Sequence, residues 1–405
     1  MNYLMIGAGP AALAAAGTLR QADRTGRVTI LSREKIRPYS RMALPYVLAA
    51  KIEAKGAYST LPEGVELLMS EKAVRIDAER REVETASGKV FPYDRLLIAS
   101  GGTPERPVLE GGTLPFVFTI RDLPDVMGIL DRFEGKTGHA VIAGAGPVGM
   151  EAGDALHKLG WSVTFVVTSS WVFSTMLDSP AAELVARKIR EQGVEILTGE
   201  GIVKFSRNGE VHLKSGKTRT CDLVIFGKGV HPCLDFLEGS GIAVGRGIVV
   251  DESQETCVPG VYAAGDVAET MDITYGDRRV NALWPLAVEQ GRVAALNMAG
   301  IPATYPGALT RNILRVFGVS ILAAGAGRVG QGYEIMTEQG PDFYHKIVLD
   351  KGLLNGFIFV GEIRNEGFYT GLIKMKTDVS AYAGSLLRGS YGYSRHLARS
   401  MKKQV

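Results

Sequence analysis

A strand–glycine turn–helix signature occurs twice in this 405-residue chain, and that repetition limits the fold more than any other feature. The first copy runs from an apolar strand at residues 1–6 into Gly7-Ala8-Gly9-Pro10-Ala11-Ala12 and then an alanine-rich helix to residue 20. Gly7 permits a tight turn, Gly9 lets backbone approach a pyrophosphate, and the small Ala12 lets the helix pack on its strand. The start of that helix presents unpaired N–H groups and the positive end of its dipole to a negative ligand. The second copy has a strand at residues 140–143, Gly144-Ala145-Gly146-Pro147-Val148-Gly149, and a helix to residue 159. A single signature also serves plain helix–strand packing. Two in one chain imply two dinucleotide sites on an α/β chain with two Rossmann-like domains.

The chain is too long for one ordinary core, which agrees with two or three domains. After each second strand, the side chains bear on which dinucleotide is held. Residues 28–31 lead into Ser32-Arg33-Glu34-Lys35, where Glu34 either accepts from a ribose hydroxyl or is an exposed loop glutamate. Residues 163–167 lead into Thr168-Ser169-Ser170-Trp171, with no charge before Asp178. Hydroxyls suit a ribose or a phosphate, but no cation offsets a 2′-phosphate, so NAD(H) is expected with modest discrimination and NADP(H) is admitted. A flavin beside a nicotinamide is the natural pairing, because hydride passes directly between the rings.

Three further stretches sharpen this reading: Tyr93-Asp94-Arg95 through Ser100-Gly101-Gly102, Thr256 through Gly265-Asp266, and Asn281 through Trp284 to Arg292. With the two cradles, they resemble the FAD-dependent pyridine nucleotide-disulfide oxidoreductase superfamily over essentially the whole chain. The resemblance implies an FAD-binding domain split between residues 1–108 and 245–312, an NAD(P)-binding domain at 109–244, and a C-terminal α+β interface domain at 313–405. In the last of these, apolar alternation over residues 344–361 reads as a hairpin, closed by helices after Thr370. Against FAD the resemblance places Gly7, Gly9, Pro10, Ala11, Ser100, Gly101, Gly265 and Trp284, with Asp266 accepting from the ribityl chain; Asp266 also suits a helix N-cap. Against NAD it places Gly144, Gly146, Pro147, Val148, Gly149, Gly227 and Gly229. The helix after Asn281 then points at the flavin pyrimidine ring, where its dipole favours the reduced, anionic ring. Glu151 resembles the glutamate near the nicotinamide in relatives, and equally suits an ordinary first-turn helical glutamate. His231 reads as structural, since hydride transfer needs no general base, and no side chain is assigned as catalytic.

Residues 38–49, PYSRMALPYVLA, bear on the chemistry. Aligned on Leu44-Pro45-Tyr46, the stretch resembles the cysteine-bearing loop of CoA-disulfide reductases and NADH oxidases, with Met42 in the cysteine's place. A thioether forms no thiolate or mixed disulfide. Aligned on Pro38-Tyr39-Ser40-Arg41, it resembles the cysteine-free loop of rubredoxin and ferredoxin reductases and of the flavin portion of assimilatory nitrite reductase. Arg41 then faces the FAD pyrophosphate or ring edge, or else caps a local helix. Tyr46 stands where ferredoxin reductases often carry a lysine. The implied activity is an FAD-dependent NAD(P)H oxidoreductase that exchanges electrons with an iron–sulfur partner. That partner is either a ferredoxin- or rubredoxin-type carrier or a subunit of an enzyme such as a tungsten aldehyde oxidoreductase. The alternatives are an NAD(P)H oxidase or diaphorase acting on oxygen or quinone, and a redox-sensing nucleotide-binding protein.

Composition narrows the rest. The three cysteines, Cys221, Cys233 and Cys257, form no CxxC, and no His/Cys cluster has metal spacing. With 46 basic and 43 acidic residues, the net charge of +3 gives no field suited to nucleic acid. Residues 386–405 hold Arg388, Arg395, Arg399, Lys402 and Lys403 without an acid, which reads as a solvated tail or a docking surface for an acidic partner. No apolar run spans a bilayer and no basic leader precedes the first strand, so a cytoplasmic protein is expected, with oligomerisation through the C-terminal domain an open possibility.

Overall fold

Each glycine signature opens a parallel sheet in the computed structural model, which describes residues 1–362, 365–389 and 392. The chain divides into two units, the first comprising Met1–Glu105, Arg121–Val126 and Val230–Ala308. Its five-stranded sheet runs Val261–Ala263, Arg95–Ile98, Asn2–Ile6, Arg27–Ser32, Val65–Met69, all parallel. The central strands read as unbroken apolar runs because both faces are covered. Leu4 and Ile6 point into one core with Leu31, Ile98 and Ile248, while Tyr3 and Met5 point into another with Ala12, Ile30 and Ala294. The helix Pro10–Ala22 buries Ala11, Ala12, Ala15, Ala16 and Leu19, and packs against the helix Trp284–Met298. Their approach is close enough that a Cβ at Gly291 would lie 2.2 Å from the Ala11 carbonyl oxygen.

The second unit comprises Arg106–Ile120, Met127–Gly229 and Leu309–Val405. Its parallel sheet runs Glu195–Thr198, Ser162–Val167, His139–Ala143, Leu223–Phe226, Val117–Thr119. The helices Pro147–Lys158 and Ser179–Arg190 belong to it. A five-stranded antiparallel sheet completes the unit, in the order Arg311–Val316, Val319–Gly325, Leu353–Val360, Tyr344–Asp350, Glu334–Gln339. The expected hairpin is there, as Tyr344–Asp350 paired with Leu353–Val360. The helix that follows starts earlier than residue 370, spanning Glu366–Lys374 after Asn365, whose φ of 60° is a left-handed conformation that asparagine tolerates. The architecture is thus the expected α/β chain with two Rossmann-like sheets and an α+β C-terminal region. Of the basic run, Arg395, Arg399, Lys402 and Lys403 lie outside the described residues. Among those described, no helix is long and apolar enough to cross a membrane.

Candidate active site

In the first unit, Gly7 turns the chain at φ 103°, and a Cβ there would stand 2.2 Å from the Ala99 carbonyl oxygen. That close approach requires glycine. Gly9 is the N-cap of the helix Pro10–Ala22, with Pro10 in the first turn and no side-chain cap. Among the described residues, no atom would lie within 4 Å of a Cβ at Gly9, so this face of the turn is open to a ligand. Ser100 and Gly101 are tied to Cys233: the Ser100 hydroxyl donates to its carbonyl at 3.0 Å, and the Gly101 carbonyl accepts its N–H at 3.0 Å. Gly265 takes φ 84° and donates its N–H to Gln290 Oε1 at 2.7 Å.

Two charged residues absent from the sequence expectations complete this site. Arg121 Nη2 donates to Asp266 Oδ2 at 3.0 Å and lies where a Cβ on Gly101 would be 3.6 Å away. Asp122 accepts from Arg41 Nη2 at 2.9 Å and from the Tyr39 hydroxyl at 3.3 Å, while Arg41 Nη2 also donates to Glu34 Oε1 at 2.5 Å. Burial pushes the Tyr39 hydroxyl far above its ordinary range. The segment Arg121–Val126 belongs to the first unit although neighbouring segments of sequence belong to the second. The only local signal was an adjacent Arg-Asp pair behind an apolar stretch, which carries no motif. Three buried polar atoms in this cluster, Glu34 Oε2, Arg41 Nε and Arg121 Nε, have no hydrogen-bond partner among the described residues. Buried polar atoms are almost always satisfied. Two donors and one acceptor, beside an open glycine turn and an uncapped helix start, fit a ligand bearing both phosphates and hydroxyls, as FAD does. Trp284 opens its helix and is 46% exposed; Met42 is 61% exposed, and Tyr46 is exposed as well.

The second unit repeats the close turn, with glycine required at two points rather than one. Gly144 has φ 115°, and a Cβ there would stand 2.5 Å from the Gly227 carbonyl oxygen; one at Gly149 would stand 2.4 Å from the Gly144 carbonyl oxygen. Gly146, the N-cap of Pro147–Lys158, again faces open space, as does Gly229 at φ 97°. Val148 is exposed in the first turn. The segment after Ser162–Val167 folds back, so that Phe173 donates its N–H to the Ala145 carbonyl at 2.8 Å from a left-handed φ of 51°. The Ser169 hydroxyl is engaged inside this segment, donating to the Trp171 carbonyl at 2.8 Å.

The family model for pyridine nucleotide-disulphide oxidoreductases matches residues 1–291, which contain both cradles. The chain belongs to this family. It is 32% identical over 394 residues to the NADH-dependent phenylglyoxylate dehydrogenase subunit epsilon of Aromatoleum evansii, covering 94% of this chain and 93% of that protein. Among solved structures, a NAD-dependent persulfide reductase from A. fulgidus superposes with a TM-score of 0.89 at 26% identity, over 95% of this chain and 79% of that one. The NADH:rubredoxin oxidoreductase from Clostridium acetobutylicum superposes with a TM-score of 0.76 at 26% identity, over 94% and 95%. The chain is an FAD-dependent NADH oxidoreductase of the pyridine nucleotide-disulphide oxidoreductase family.

Within this family member, Glu151 stands one turn inside its helix, not in the first turn, so helix-dipole stabilisation does not account for its position. Burial, reinforced by Asp154, pushes its carboxyl up to about 7. Asp154 itself is engaged, pairing with Lys158 Nζ and accepting the Phe317 N–H at 2.9 Å. His231 lies exposed on the short strand Val230–Pro232, paired with Gly102–Pro104. Cys221 is buried, which pushes its thiol to about 12, with Asp222 adding to the shift; Cys233 and Cys257 are also unpaired. Among the described residues, no cluster of three or more His, Cys, Asp or Glu is placed to hold a metal ion.

Proposed function

We propose that the first cradle holds FAD, the second holds NADH, and electrons leave the flavin for an iron–sulfur protein or subunit. When bound, FAD would supply the conversion between two-electron hydride chemistry and single-electron transfer, and the residues of the chain would hold and orient it. On this reading the Gly9–Ala11 turn receives the pyrophosphate, Arg41 and Arg121 direct their unpartnered Nε donors toward its oxygens, and Glu34 Oε2 accepts from the adenosine ribose. Arg121 also orients Asp266 as an acceptor for the ribityl hydroxyls. In the second unit, Gly146 leaves room for the NADH pyrophosphate, and Glu151 lines the nicotinamide end, present in both protonation states near neutral pH.

The observation that carries the acceptor assignment is Met42. The position at which thiol-using relatives would place a cysteine holds an exposed thioether, which forms no thiolate to take part in electron transfer. The subunit naming of the phenylglyoxylate dehydrogenase relative and the rubredoxin named for the Clostridium acetobutylicum enzyme support an outside electron partner, while an NADH oxidase of Methanocaldococcus jannaschii among the relatives supports direct use of oxygen. Steady-state NADH oxidation tests this. Adding a ferredoxin or rubredoxin should multiply the rate and suppress oxygen uptake, whereas oxygen uptake indifferent to the carrier would favour an NADH oxidase.

A further inference from the structure

Residues 168–178 follow the strand Ser162–Val167, and the adenosine half of a dinucleotide on the second cradle must lie against them. This segment carries no charge before Asp178, so the direction of its backbone and hydroxyls decides what it offers a ligand. Its own sequence does not set that path. On the cradle side it is held by the Phe173–Ala145 hydrogen bond. On the other side it is held by the C-terminal sheet of the same unit. Asp178 caps the helix Ser179–Arg190, accepting the Ala181 N–H through Oδ1 at 3.3 Å. Its Oδ2 accepts from the Tyr344 hydroxyl at 2.9 Å and from Lys346 Nζ at 3.0 Å. Lys346 is only 4% exposed, and its ammonium also donates to the Val329 carbonyl at 3.3 Å. The preceding residue, Arg328, donates through Nη1 to the Ser174 carbonyl at 2.9 Å. The far end of the helix is gripped too: Gln192 Nε2 donates to the Phe317 carbonyl at 2.6 Å, and Lys188 pairs with Asp342 at 2.5 Å.

A buried ammonium requires a committed partner, because leaving it unpaired costs far more than the pair returns. Lys346 therefore keeps Asp178 in one place, and Asp178 fixes both the helix start and the end of the segment before it. We propose that Lys346 and Tyr344 are positioning residues for NADH: acting through Asp178, they hold residues 168–178 in the shape that receives the adenosine half of the dinucleotide. The C-terminal sheet thereby sets NADH affinity. This inference rests on the second cradle being the NADH site.

The test uses the full-length, FAD-loaded protein with an artificial dye as acceptor. Lys346→Met should raise KM for NADH about tenfold while kcat at saturating NADH stays within about twofold and FAD content is unchanged, the signature of lost ground-state binding. Lys346→Arg should restore most of the loss, and Tyr344→Phe, which removes one oxygen atom, should raise KM about threefold. A folded, FAD-replete Lys346→Met with unchanged KM, or one that loses kcat at constant KM, overturns the proposal. If Lys346→Met does not fold, an unchanged KM in Tyr344→Phe overturns it instead. Gly146→Val is the control: if that variant keeps its KM for NADH, the assignment of the cradle has failed and the positioning role falls with it. If the control loses NADH binding while the Lys346 and Tyr344 variants do not, only the positioning role has failed.

Discussion

The two cradles share a backbone and differ in what surrounds it. Around the first, Glu34, Arg41, Arg121, Asp122 and Asp266 form a dense charged network that still leaves three buried polar atoms without partners among the described residues. Around the second, the loop after Ser162–Val167 is uncharged until Asp178, and Asp178 is already committed to a helix cap and to Lys346. On the proposed assignment the first site holds a resident cofactor and the second a dinucleotide that leaves at every turnover. Side-chain donors and acceptors that stay unsatisfied without ligand penalise its departure, whereas an uncharged loop beside an open backbone turn releases the adenosine half of its ligand at little cost. The same motif can therefore serve retention or exchange, depending on the side chains brought to it.

The sharpest break of that comparison replaces the open glycine in each cradle. Among the described residues, none has an atom near the missing Cβ of Gly9 or Gly146, so valine at either position should leave the fold intact and act on the ligand alone. Gly9→Val should yield folded protein without flavin absorbance. Gly146→Val should keep its flavin while kcat/KM for NADH falls on the order of 100-fold, about 2.7 kcal/mol. Loss of flavin from both, or from neither, would erase the distinction.

Arg121→Ala comes next, since it strips Asp266 of its partner and removes an unsatisfied donor from the first site. FAD affinity should fall about 30-fold, near 2 kcal/mol, with KM for NADH unaffected, measured by flavin release under dilution and by dye kinetics.

Glu151 tests the second cradle by pH. Its folded carboxyl sits near 7 against an ordinary 4.5, so the folded state holds a proton that the unfolded chain has released between those values. Below about 4.5 both states are protonated and there is no penalty; stability is lost as pH rises from there to about 7, and the loss is constant above. Glu151→Gln should therefore stabilise the protein at pH 8 by up to about 3 kcal/mol and not at pH 4, as read from denaturant midpoints. A gain of equal size at both pH values would show that the effect is not ionisation. The smallest effect concerns the uncharged loop itself: kcat/KM with one dye should favour NADH over NADPH only about tenfold, or 1.4 kcal/mol. A strong preference for NADPH would mean that a basic group from elsewhere serves this loop.

The parts of the site that could be read from the chain are those in which residues close in sequence act together. Gly7 to Ala12 and Gly144 to Gly149 each encode strand, turn and helix within a few residues, and the observed elements follow. The hairpin at Tyr344–Asp350 and Leu353–Val360 was legible for the same reason, since alternation reports a half-buried strand directly. The start of the helix Glu366–Lys374 was less so, because Asn365 in a left-handed conformation is not announced by its neighbours. Glu151 was assigned to the right helix but one turn too early, and its raised carboxyl pKa could not be read at all, since desolvation depends on what packs over the group.

What the sequence determined by itself was the pair of strand–glycine turn–helix units, the sheets they open and the absence of a thiol at Met42, because glycine geometry, apolar periodicity and side-chain chemistry are local properties. Tertiary structure alone decided that Arg121 meets Asp266 across 145 residues, that Asp122 closes on Arg41 across 81, and that Asp178 is claimed by Lys346 across 168. Each of these is a charge neutralised by a partner from a distant segment. The force that selects such partners is the cost of burying a charge alone, which exists only once the chain has folded around it.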